Sequence, residues 1–215
     1  MQNSSQLKIS VGSGKVFGIR SLNSNTLSNP RCMTLYKNAK DNFICPYCYS
    51  VDMLSKYRKN CVSAWQHNSD LLSGSILTDR QLPIINDRVF RFHSHGELIN
   101  ETHLINFFLI AEHNPDTTFS LWTKDKKIVR SALRKRDKPS NLIIIFSNGV
   151  IDKPMSAPPR GFDKVFQNVS PDKDRPIQNC TGQKCIECLR CYTHGGTYIV
   201  TEAVKLRHKK RSANA

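Results

Sequence analysis

The chain has 215 residues, with 32 Lys and Arg against 17 Asp and Glu and a formal net charge of +15. Its apolar fraction is 39%, its mean hydropathy is −0.45, and its longest apolar run, Leu142 to Phe146, is far too short to cross a bilayer, so no membrane span is expected. A chain of this length buries a full core in one domain without crosslinks. Its pI near 9.6 points to polyanionic partners, of which nucleic acid is the commonest.

Residues 1–14 read as a flexible lead. Met1 to Ser28 is rich in Ser, Asn and Gly and has no apolar h-region, so no secretory signal is expected and the chain is assigned to the cytoplasm. A reducing compartment favours metal ligation over disulfides for its eight cysteines. Lys15 to Leu22 is the first predicted strand, followed by a loop of Asn, Ser and Pro that leads to Cys32. Val51 to Leu72 has good helix formers and no Gly or Pro, which predicts one helix. Arg88 to Ser94 alternates as a strand. Asn100 is a candidate N-cap for a helix running to His113, closed by Asn114 and Pro115, with Leu104, Phe107, Phe108 and Ala111 as its buried stripe.

Thr117 to Trp122 is the next strand, and the basic segment after it the next helix. Asn141 to Phe146 is continuously apolar, as expected of a strand covered on both faces. Asp163 to Asn168 and Thr197 to Thr201 complete the predicted strands. Strand–helix alternation from 88 to 146 argues for an α/β fold with a parallel sheet, as a partial (β/α) barrel or an open sheet. The predicted organisation is one domain over 15–202, including the cysteine cluster at 180–191, with a basic tail over 203–215.

Six of the eight cysteines fall at short spacings, in CPYC (Cys45, Cys48) and CTGQKCIECLRC (Cys180, Cys185, Cys188, Cys191). Two residues between thiolates let a turn aim both sulfurs at one soft metal. The C-terminal four suit a closed site, and both a [4Fe–4S] cluster and a zinc knuckle satisfy that chemistry. His194 is either a substitute ligand or a turn residue. Cys32, Cys45 and Cys48 read as three ligands of a [4Fe–4S] cluster with one iron open, or as a structural zinc or iron–sulfur site completed by Cys61 or a histidine. Cys61, on the predicted helix near Trp65, reads as a buried free thiol.

In a parallel sheet, functional groups gather at the C-terminal ends of strands. Here those ends carry Cys32, Cys45 and Cys48; His93-Ser94-His95-Gly96-Glu97; Trp122-Thr123-Lys124; Ser147-Asn148-Gly149; and Gln167-Asn168 with Ser170. Alternation places His93 and His95 on one face, where either could transfer protons while Glu97 binds an ammonium group. The structural alternative makes them hydrogen-bonding strand-end residues, with Trp122 a core aromatic and Lys124 a solvated cation.

A cysteine loop after the first strand with Tyr47 before its last Cys, followed by Gly96-Glu97 at the end of the second strand, resembles radical S-adenosylmethionine enzymes. The order of CPYCY, FRFHSHGE, Trp122-Thr123-Lys124 and the C-terminal cysteines most closely resembles the phage gene product 88 family, from about Cys32 to Tyr192. In place of the usual three residues, twelve separate Cys32 from Cys45, and His95 replaces the first Gly of the Gly-Gly-Glu element. The resemblance implies a phage-type iron–sulfur protein in the host cytoplasm. Its metal ligands would be Cys32, Cys45, Cys48, Cys180, Cys185, Cys188 and Cys191, with Gly96 and Glu97 holding S-adenosylmethionine and His93 and His95 as catalytic candidates.

A competing reading is a non-enzymatic, zinc- or iron–sulfur-stabilised nucleic-acid-binding protein. Lys124 to Lys138 holds eight basic residues against two acidic, and Lys205 to Arg211 adds five more. The bland version is a solvated helix face and a basic tail. A third reading makes the chain a structural phage protein whose metals only staple the fold.

Overall fold

The computed structural model describes residues 6–171 and 178–204. One sheet holds β1 (Ile9–Val11), β2 (Arg20–Leu22), β3 (Val89–Phe92), β4 (Thr118–Thr123), β5 (Leu142–Ser147), β6 (Lys164–Val169) and β7 (Ile199–Ala203). The strands lie side by side in chain order. β1 pairs antiparallel with β2, and every neighbouring pair from β2 to β7 is parallel. The sheet is open, with β1 and β7 at its edges, so the fold is α/β with an open, mostly parallel sheet.

The helices are α1 (Pro30–Asn38), α2 (Tyr49–Lys56), α3 (Cys61–Gly74), α4 (Glu101–His113), α5 (Lys126–Ala132) and the short α6 (Cys185–Cys188). Parallel strands laid down in chain order wind in one direction, which sends successive crossovers to the same face. Leu72 of α3, Leu104, Phe107 and Phe108 of α4, and Val129 and Ala132 of α5 accordingly share one core with Leu22, Phe90, Phe92, Phe119, Leu121, Leu142, Ile144 and Val165. Phe92 stacks on Phe107 at 4.0 Å and on Phe119 at 5.0 Å between ring centroids. Burying each such ring is worth roughly 1.5–3 kcal/mol. Strand alternation turns Val89, Arg91, Ser120 and Trp122 to the opposite face. There Ile19, Val89 and Tyr192 pack with Trp122, Ile186 and Leu189, so the cysteine-rich C-terminal segment covers that side.

Several expectations hold closely. Asn100 Oδ1 accepts the His103 N–H at 3.0 Å, capping α4 where predicted. All six residues of β5 are buried, as a strand covered on both faces requires.

Others need correction. Residues 9–11, placed in the lead segment by their polar neighbours, pair with β2. The first predicted strand is regular only from Arg20; Gly14–Val16 is a 3-10 turn. The single helix predicted over Val51 to Leu72 is two, because the chain leaves helical geometry at Tyr57–Asn60. Neither Gly nor Pro marks that break. Within it the Arg58 N–H turns to the Met53 carbonyl at 2.7 Å, and the Arg58 side chain reaches the Ser13 hydroxyl at 3.0 Å. Cys32 is not in a loop but in the first turn of α1, capped by Asn29.

Candidate functional site

A cavity of about 530 Å³ opens at the C-terminal ends of the parallel strands. Cys32, Cys45 and Cys48 line it together with His93, His95, Gly96, Glu97, Lys124 and Ser147. The predicted convergence on one rim is therefore present for most strand ends. Gln167 and Ser170 are engaged elsewhere: Gln167 bridges Met155 and Thr201, and Ser170 bonds Asp152.

The long spacing between Cys32 and Cys45 has a structural explanation. Asn29 Oδ1 accepts the Cys32 N–H at 3.2 Å and starts α1, which takes up half of the intervening residues. The chain then returns to the sheet. Ile44 N–H donates to the Gly149 carbonyl at 2.8 Å and Ile151 N–H to that of Asn42 at 2.8 Å. A Cβ on Gly149 would lie 2.3 Å from the Phe43 ring, so only glycine admits this contact. Cys45 opens a 3-10 turn and Cys48 precedes α2. Burial pushes the Cys32 thiol well up, with Glu97 and Cys48 adding to it. Burial also raises Cys45, against the pull of Lys124. Metal binding at such thiols displaces their protons.

Glu97 is buried, and its carboxylate accepts the Leu98 N–H and the Lys124 N–H at 2.9 Å each, along with the Thr123 hydroxyl. Three donors on four lone-pair sites leave little capacity for a ligand ammonium. Glu97 ties the turn after β3 to the end of β4 and sets a negative charge beside the thiols. Gly96 has φ +100°, and a Cβ there would lie 2.1 Å from Ser24 Oγ.

The two candidate histidines do not share a face. β3 ends at Phe92, and His93 adopts φ +61°, which breaks the alternation. His93 Nε2 lies 3.2 Å from Ser24 Oγ, and its ring packs edge-on against His103 and Phe107 at 5.1 Å. Burial, His103 and Arg91 hold its pKa well below the ordinary histidine value. His95 instead packs on Trp65 at 4.5 Å, with Nδ1 3.0 Å from Ser50 Oγ. Burial, then Arg58 and Arg91, lower it to about 4. Both rings are neutral near pH 7. His93 is the more deeply buried of the two, packed on the core behind the cavity, while His95 stands in its wall.

Cys180, Cys185 and Cys191 line the same large cavity from its other side. All four C-terminal cysteines also surround a second, much smaller cavity of about 30 Å³. Ile186 packs against Ile19 and Val89, and Ser120 Oγ donates to the Cys191 carbonyl at 2.7 Å. Lys15 Nζ lies 3.8 Å from Cys180 Sγ and pairs with Glu202. Burial raises the Cys191 thiol to about 12. Among the described residues, no group of three or more His, Cys, Asp or Glu is gathered in a form that could hold one metal ion. His194 is exposed in a turn. Cys61 is only partly buried, at the start of α3 rather than inside it, because the helix break precedes it.

Lys124 is not a solvated cation. Its amine donates to Ser147 Oγ at 3.2 Å in the cavity wall. Burial opposes its charge, but Cys45, Glu97, Cys48 and Cys32 together hold it above the ordinary lysine range. Trp122 packs under Arg91, whose guanidinium lies 3.8 Å over its ring.

The other basic residues of 124–138 are largely engaged: Lys135 pairs with Glu101, Arg136 with Glu112 and Lys138 with Asp163, while Lys126 sits 4.3 Å over Phe146. Lys127, Arg130 and Arg134 remain exposed. Lys205 to Arg211 lie outside the described residues. Sequence reasoning passed over Arg91, Ser24 and Trp65. The available signal was the charge of Arg91 inside the buried run VFRF.

The family model for gene product 88 matches residues 28–178. That span holds Cys32, Cys45, Cys48, His93, His95, Gly96 and Glu97 but ends before Cys180, so it stops short of Tyr192. No curated protein and no solved structure matches the chain. Among the described residues, no helix is long and apolar enough to cross a membrane.

Proposed function

The chain belongs to the gene product 88 family, and on that footing we propose that it is an iron–sulfur protein whose reactive centre uses Cys32, Cys45 and Cys48. The observation that carries this is the opening of all three thiols onto one cavity at the strand ends, beside Gly96 and Glu97. Parallel strands in chain order, with the cysteine loop after the first of them, support a likeness to radical S-adenosylmethionine enzymes. The donor chemistry fits, since thiolates are the usual ligands of such clusters. A lone tetrahedral ion needs its sulfurs about 2.3 Å from one point. A cluster would spread its thiolates over several irons, so its three sulfurs need not meet at one point.

Cys32, Cys45 and Cys48 would hold the cluster, which would supply the one-electron reducing chemistry for S-adenosylmethionine cleavage. The chain's own residues do the rest. Lys124 offsets the thiolate charge, Glu97 fixes the strand ends on either side, and Gly96 lets that turn approach Ser24. Trp65 and Tyr49 hold His95 in the wall. Cys180, Cys185, Cys188 and Cys191, which line one small cavity, would hold a second, closed centre that would pass electrons or anchor the C-terminal segment.

The test is anaerobic purification with iron, sulfide and zinc analysis, followed by assay of S-adenosylmethionine cleavage with dithionite as reductant. Iron and sulfide with cleavage are expected. A colourless, zinc-only protein that cleaves nothing overturns the proposal and leaves the stapled-fold reading in its place.

A further inference from the structure

We propose that Arg91, with Lys124 and Arg58, forms an oxyanion-binding subsite in the large cavity, so that the substrate carries a carboxylate or phosphate group. The inference concerns the same cavity as the iron–sulfur reading but stands on its cations rather than its thiols.

Five cationic side chains line that cavity. Two are neutralised by carboxylates: Lys15 pairs with Glu202, and Arg31 with Asp125. Three are not. Among the described residues Arg58, Arg91 and Lys124 form no ion pair with Asp or Glu. Arg58 bonds the Ser13 hydroxyl and Lys124 the Ser147 hydroxyl. Arg91 rests on the Trp122 face and gives its Nε–H to the His93 carbonyl at 3.4 Å. Glu97 bonds none of these three side chains: its carboxylate takes the Leu98 and Lys124 backbone N–H groups and the Thr123 hydroxyl, and its charge reaches Lys124 only through space.

Arg91 and Lys124 are drawn into the cavity wall, while Arg58 sits at a more open position; a cation withdrawn from water without a partner is costly, so a cavity built with these groups is matched to an anion. The stacked guanidinium is held flat, and its remaining N–H groups suit the two oxygens of a carboxylate or phosphate. Arg91 lies near both Tyr49, which follows Cys48, and Cys185 and Cys191. The bound anion therefore sits between the two thiol sets.

The test is isothermal titration of metal-loaded protein with inorganic phosphate and, separately, with succinate. At least one arm should saturate at one site per chain, and which arm does so distinguishes phosphate from carboxylate. Arg91→Gln should weaken that arm roughly ten- to hundredfold, Arg91→Lys should restore part of it, and Lys127→Gln on the exposed surface should match wild type. Lys124→Gln provides an independent variant that must also weaken binding. The inference is overturned if neither arm saturates, if both cavity variants bind as wild type does, or if Lys127→Gln weakens binding equally. Iron and sulfide measured on each sample keep the readings apart: anion binding without iron removes the proposed function alone, and iron without anion binding removes this inference alone.

Discussion

Gly96 and Ser24 are in contact so close that a Cβ on Gly96 would lie 2.1 Å from the Ser24 hydroxyl oxygen and 2.7 Å from its carbonyl oxygen. Ser24 follows β2 and Gly96 follows β3, so this contact sets how the cysteine loop and the Glu97 turn meet. Gly96→Ala combines that clash with a φ of +100°. It should cost at least about 1–3 kcal/mol, read as a lower denaturation midpoint, and should reduce metal retention at Cys32, Cys45 and Cys48. Ser24→Gly should not rescue it, because the carbonyl clash remains.

The two thiol sets should separate on mutation. Backbone bonds from Ile44 to Gly149 and from Ile151 to Asn42 hold the CPYC loop independently of its sulfurs. Cys45→Ser should therefore keep the far-ultraviolet circular dichroism of wild type while losing S-adenosylmethionine cleavage and part of the iron. Cys188→Ser should lose metal from the closed centre alone. Unfolding of Cys45→Ser would point to a staple instead of a reactive site.

Acid should destabilise the protein through its buried histidines. Burial lowers His103 to about 3 from an ordinary 6.5, and His93, facing His103 and Arg91, is held well below the same value. The folded state binds these protons more weakly than the unfolded state. Stability is thus fully present above about pH 6.5 and is lost as pH falls toward the folded values. His103→Gln should remove up to one proton from the pH dependence between 6.5 and 4, a slope change of up to about 1.4 kcal/mol per pH unit. An unchanged slope in chemical denaturation across that range would refute this.

Lys164 is 1% exposed, and its amine donates to the carbonyls of Gly195 at 2.8 Å and Thr197 at 2.9 Å. Those bonds close the turn of Gly195 and Gly196, both at positive φ, that connects the cysteine segment to β7. Lys164→Met leaves both carbonyls without their donor and should cost roughly 2–4 kcal/mol. Hydrogen exchange should then quicken from Cys191 to Thr197 more than in β4 and β5. Uniform quickening across the sheet would instead indicate global loss of stability.

Elements with a strong local signal were readable without the structure. Asn100 caps α4 because its side chain needs only a neighbour three residues on, and LIIIF reads as a buried strand because the apolar run is short and rich in β-branched Ile. α1 was not readable: Pro30 and Asn29 are a start signal, but the polar run around Cys32 has no apolar face to reveal a helix. The break before Cys61 carries no Gly or Pro, and the contact of Arg58 there with Ser13, 45 positions earlier, has no local signal. His93 and His95 were assigned to one face by alternation, which fails where φ turns positive.

The order of residues was sufficient to determine an α/β chain, a parallel sheet and two groups of thiols, because hydrophobic period and short cysteine spacing are local properties. That the two groups open onto one cavity could be decided only by the tertiary structure. The sheet lays its strands down in chain order and sends its helices to one face, which leaves the other for the C-terminal segment to cover. Arg91, Lys124 and Glu97 come from different strand ends, and no local pattern says which charges are neutralised when those ends meet. Contacts across the sheet set Lys124 beside the thiols and leave both Lys124 and Arg91 without an ion pair among the described residues, and that separates a solvated basic surface from a charged site.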